Sequence, residues 1–98
     1  MPGEIYQFMF DKQVPFQEIK ESMLLTTIAV ESRLGRTQVR LDAVFSMDPE
    51  NHRCSVDATS EVGRDIARIF TGFITKQFGE EVFKVKRKER DQGEADHE

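Results

Sequence analysis

Along this chain the spacing of hydrophobic residues shifts between two and nearly four, and those shifts mark out strands and helices. From Glu4 to Phe10, the aromatic residues Tyr6, Phe8 and Phe10 alternate with Ile5, Gln7 and Met9, which predicts a strand with an aromatic inner face. A polar break, Asp11-Lys12-Gln13, follows. Pro15 then stands where a helix tolerates a missing N–H, in its first turn. Phe16, Ile19, Met23, Ile28, Val30 and Leu34 recur at roughly helical spacing up to Gly35, so a first helix is predicted over about residues 15–34. Gly35 suits the position after its end, because glycine takes left-handed angles without a Cβ penalty. Leu24, Leu25 and Ala29 widen the apolar surface of this helix beyond the usual stripe of ~100°.

A second strand is predicted over residues 37–47, with Val39, Leu41, Ala43, Phe45 and Met47 on one face. Gln38, Arg40, Asp42, Val44 and Ser46 take the other face. Asp48-Pro49-Glu50-Asn51 is a turn, with Asp at the first position and Pro fixing φ at the second. The return strand, 53–58, directs Cys54, Val56 and Ala58 inward. Pairing Asp48 with Arg53 sets Met47 opposite Cys54, Phe45 opposite Val56 and Ala43 opposite Ala58, so that inward residues meet inward residues. A slip of one residue would spoil both faces.

Thr59 or Ser60 is a suitable N-cap for a second helix, with Glu61 in its first turn. Val62, Ile66, Ile69, Phe70, Phe73 and Phe78 carry its period, and Gly79 closes it. A short last strand, 82–86, places Phe83 and Val85 inward. The chain is charged from Arg87, so one domain is expected over 1–88 and a disordered acidic tail over 89–98. The order β-α-β-β-α-β predicts an α+β, two-layer sandwich of the ferredoxin-like, split βαβ kind. It has a four-stranded antiparallel sheet, strands one and three central, and two helices on one face. A strand-exchanged dimer would use the same local elements.

Composition narrows the partners. The net charge of −4 argues against nucleic acid or an anionic membrane, since both select a basic footprint. The single cysteine, Cys54, excludes an internal disulfide and zinc sites built on several thiolates. The longest nearly apolar stretch, Met23 to Val30, is far short of the ~20 residues that span a bilayer. No basic, apolar leader opens the chain, so the cytoplasm is the expected compartment.

No motif identifies a reaction, a cofactor or a metal, and the reading leans away from an enzyme. Four surfaces are candidates. At the start of the second helix, Thr59, Ser60 and Arg64 offer N–H groups, hydroxyls and one charge to an anion, although plain helix capping explains the same residues. His52 and Cys54, with Asp57 nearby, are chemically capable ligands or nucleophiles, but alternation buries Cys54 and leaves His52 in a turn. The basic run Lys84, Lys86, Arg87, Lys88 and Arg90 could meet RNA, or could guard a sheet edge against aggregation. The fourth surface is an interface: Leu24, Leu25 and Ala29 on the first helix, with Arg40 and Val44 on a long edge strand. The expected function is therefore a non-catalytic interaction or accessory module, acting as a homodimer or binding another protein. The alternatives are a small-ligand sensor or enzyme at the anion corner, and RNA binding through the basic run.

Overall fold

The structure is a computed structural model, and it describes residues 3–89. The aromatic alternation of the first segment forms strand β1 (Glu4–Phe10). Helix α1 (Phe16–Leu34) follows, then helix α2 (Arg36–Asp42) and strand β2 (Phe45–Asp48). Strand β3 (Arg53–Asp57) and helix α3 (Glu61–Phe78) come next. A single 3₁₀ turn, Glu80–Val82, leads into strand β4 (Phe83–Glu89). The four strands form one antiparallel sheet in the order β2-β3-β1-β4, so the described residues build an α+β fold of one sheet and three helices.

The inner faces of β1 and β3 are those the alternation selects: Phe8, Phe10, Cys54 and Val56 are all buried. They meet Val62, Ile66, Phe70 and Ile74 of α3, which recur every four residues, and Ile19, Met23 and Val30 of α1. The Phe70 ring packs edge-on against Phe8 at 5.1 Å and against Phe10 at 6.5 Å, the arrangement aromatic quadrupoles prefer. Two close approaches fix the start of α3. The Ser60 hydroxyl accepts from the Gly63 N–H at 3.0 Å as an N-cap, which leaves Thr59 outside that role. A Cβ on Gly63 would lie 1.9 Å from the Asp57 carbonyl oxygen, so only glycine lets the helix start this close to the end of β3.

The segment between α1 and the hairpin corrects the long second strand. Residues 36–42 form α2, and β2 is only Phe45–Asp48. Arg36, Gln38, Arg40 and Leu41 are strong helix formers, and no glycine or proline interrupts them. Val39 and Ala43, four apart, satisfy a helical face as well as they satisfy alternation, and the Ala43 N–H closes the helix on the Val39 carbonyl at 2.9 Å. Leu41, which alternation would bury, points to solvent. Gly35, at φ 94°, turns the chain from α1 into α2.

The hairpin pairs Asp48 with Arg53, Met47 with Cys54 and Phe45 with Val56, while Ala43 ends α2 and faces no strand. Phe45 keeps 38 % of its surface exposed, because the short β2 lies at the rim of the helical layer. Strand β4 runs past the expected residue 86 to Glu89, and Val85 on it is exposed. Of the acidic tail expected over 89–98, Glu89 closes β4, and residues 90–98 lie outside the described residues.

Candidate functional site

The outer surface of α1 reverses the usual helix. Leu24, Leu25 and Ile28 are 61, 56 and 53 % exposed, while Ser22 and Thr26 are 2 and 0 % exposed against the core. Both buried hydroxyls are satisfied: Ser22 donates to the Gln77 side chain at 2.9 Å, and Thr26 donates to the Ser22 carbonyl at 2.7 Å. These small residues let α1 and α3 pack side by side, and the long aliphatic chains are left outside. Spacing alone places Ile28 in the core stripe; in the structure it belongs to the outer face with Leu24 and Leu25, whereas Ala29 is half-buried. Beside this face an apolar groove of about 310 Å³ runs between α1 and β2, lined by Lys20, Met23, Leu24, Thr27, Phe45 and Met47. Val44 is exposed next to it. Arg40 is exposed too, but it sits on α2 and not on an edge strand.

The anion corner is assembled, and each member has a local partner. Asp57 Oδ1 accepts from the Thr59 N–H at 3.0 Å and from its hydroxyl at 2.6 Å. The Ser60 hydroxyl caps Gly63 and donates to the Asp42 carbonyl at 3.3 Å. Arg64 Nη1 donates to the Thr59 carbonyl at 3.0 Å. The Asp57 carboxylate lies beside the helix start, where it competes with any incoming anion.

His52 and Cys54 are not brought together as a reactive pair. His52 is in the left-handed region, at φ 52°, and its Nε2 lies 3.0 Å from the Val14 carbonyl with its ring edge-on to Phe16. It ties the hairpin turn to the start of α1. Cys54 faces the core, and burial pushes its thiol up from 9.0 to about 12. Among the described residues no cluster of three or more His, Cys, Asp or Glu is placed to hold a metal. Folded protein is therefore expected to resist alkylation of Cys54 at neutral pH, with labelling appearing only along the urea unfolding transition. Because the native state keeps a proton that the unfolded chain releases near pH 9, this group's contribution to stability is lost as pH rises from about 9 toward 12.

The open face of the sheet carries Ile5, Gln7 and Met9 on β1, Arg53, Ser55 and Asp57 on β3, and Lys84, Lys86 and Lys88 on β4. These central strands present no aromatic ring there, which is what base stacking on such a sheet uses. Arg87 lies on the other face, 3.7 Å from Glu4.

Two arrangements escaped the sequence reading. Asp65, 4 % exposed, is held by Arg33 of α1 at 2.6 Å and by Arg68 at 3.0 Å, and Arg33 also reaches Glu61 at 3.0 Å. The Asp65 carboxylate, followed by Glu61, raises the Arg33 pKa. The signal was an acid within the Val62–Ile66–Ile69 stripe, with arginine three residues on. The second arrangement is a groove between α3 and β4, lined by Tyr6, Ala67, Thr71 and Val85 among others.

No family model, curated protein or solved structure is significantly similar to this chain. No helix among the described residues is long and apolar enough to cross a membrane.

Proposed function

We propose that the chain is a non-catalytic interaction module that acts as a homodimer through the outer face of α1 and the free edge of β2. The observation that carries this reading is the outer face of α1, where Leu24, Leu25 and Ile28 are exposed while Ser22 and Thr26 are buried beside Ile19, Met23 and Val30. An apolar helix face beside an apolar groove is a surface that a partner covers. The β2 edge fits a second copy of itself. An antiparallel pair centred on Ser46 sets Phe45 of each copy opposite Met47 of the other, because residues two apart share a face. Both sheets then present their helices on the same side, and the two α1 grooves flank the seam. The contact is isologous, so it closes at two copies.

We further read the fold as a ferredoxin-like variant with α2 inserted in the first crossover, on the support of β1 and β3 lying side by side between β2 and β4. Its proposed compartment is the cytoplasm, where a lone thiol stays reduced.

Sedimentation equilibrium over a range of micromolar concentrations tests the dimer. Wild-type protein is expected at twice the monomer mass. Leu25→Glu is expected to weaken association, and Met47→Pro, which removes an N–H that faces away from β3 at the free edge, to abolish it. Circular dichroism is expected to be unchanged in Leu25→Glu, whose side chain lies outside the core. A wild-type chain that stays monomeric on concentration would refute the proposal.

A further inference from the structure

We infer that the groove between α3 and β4 binds a small amphiphile with an apolar body and a single carboxylate. The groove has a volume of about 460 Å³, within the range of ligand pockets, ~300–1,000 Å³. It exists because the side of α3 facing β4 carries small residues, Ala67 and Thr71, where α3 turns Phe70 and Ile74 into the core. Val85, on the inner face of β4, is left 44 % exposed as a result. The walls ask for little polar contact: Thr71 gives its hydroxyl to the Ala67 carbonyl at 2.7 Å, and the Tyr6 hydroxyl donates to Glu4 at 3.1 Å.

Charge at the groove has one sign. Arg64 and Arg68, one helical turn apart, both line it. Arg64 makes no ion pair among the described residues and donates only to the Thr59 carbonyl. Arg68 shares Asp65 with Arg33, so Asp65 keeps a cation if Arg68 turns to a ligand. The nearby acid, Glu4, is engaged by Tyr6 and by Arg87. Two guanidinium groups beside an apolar trough match one carboxylate on an apolar body, with the body supplying burial and the arginines orientation. This placement moves anion recognition away from the capped start of α3 and onto its flank. It is independent of the dimer, since β4 lies at the sheet edge opposite β2.

The test is calorimetric and thermal titration of the full chain with decanoate below its micellar concentration, beside decanol and inorganic phosphate. Decanoate is expected to bind and to raise the melting temperature, because a ligand of the native state stabilises it. Decanol and phosphate, each lacking one half of the ligand, are expected to bind far more weakly. Arg64→Gln/Arg68→Gln is expected to weaken decanoate about tenfold or more, as charge-assisted pairs are lost. Thr71→Phe, which fills the trough, is expected to abolish binding while circular dichroism stays native. No decanoate binding to wild type, equal binding of decanol, or undiminished binding by the double variant would each overturn the inference. Should Thr71→Phe unfold, the arginine variant and the decanol comparison decide alone.

Discussion

Phe70→Ala is expected to lower the stability of this domain by about 3–5 kcal/mol, as truncation of a fully buried phenylalanine typically does. Phe70 has no exposed surface, and its ring is the one that both Phe8 and Phe10 pack against edge-on. Three elements therefore lose contact at once: the central strand β1, helix α3 and, through Phe10, the Phe83 ring of β4. A domain of this size has about 5–15 kcal/mol in total, so the variant gives up a large share of it. Urea denaturation measures the effect, with Phe70→Leu expected to lose less because it retains part of the volume. Phe45→Ala supplies the contrast. Phe45 is 38 % exposed at the rim of the helical layer, so the folded monomer should lose clearly less than with Phe70→Ala, whereas the proposed β2 seam loses a facing side chain. If Phe45→Ala destabilised the monomer as much as Phe70→Ala, the placement of the core between β1 and α3 would be wrong.

That contrast also shows what the sequence could and could not disclose. Alternation located the buried faces of β1 and β3, because each has a partner layer that rewards every second residue. It also gave the hairpin register, since Asp48-Pro49 fixes where the turn begins. It failed over residues 36–42, where Val39 and Ala43 satisfy both periods and only propensity distinguishes them. In α1, apolar spacing pointed to Ile28 as core, and the structure buries Ser22 and Thr26 instead. A pattern of hydrophobicity assumes that the protein's own core takes the greasiest stripe. It misleads where close helix packing calls for small residues and where the greasy stripe faces outward. The groove beside β4 was illegible for a related reason. It arises from what Ala67 and Thr71 lack, and its arginines are brought to it by the helix turn and not by any linear motif.

The asymmetry around Asp65 yields the other large effect. Asp65 is buried, whereas the side chains of Arg33 and Arg68 are 56 and 73 % exposed. Removing the arginines and removing the aspartate are therefore different experiments. Arg33→Met/Arg68→Met strands a carboxylate away from water with neither of its cations, and the cost expected for an uncompensated buried charge is about 3 kcal/mol or more. Asp65→Leu leaves behind two guanidinium groups that water already reaches, and it adds apolar contact beside Val62 and Ile66. Its stability is expected to fall within about 1 kcal/mol of wild type, since replacing a buried ionic group by an apolar one is often neutral. Combining all three substitutions should then recover most of what the arginine pair lost, because the stranded charge is gone. The urea midpoints of the four proteins give the answer directly. An arginine double variant as stable as wild type would mean that water reaches Asp65, and that this clamp between the end of α1 and the start of α3 contributes little to holding the helical layer together.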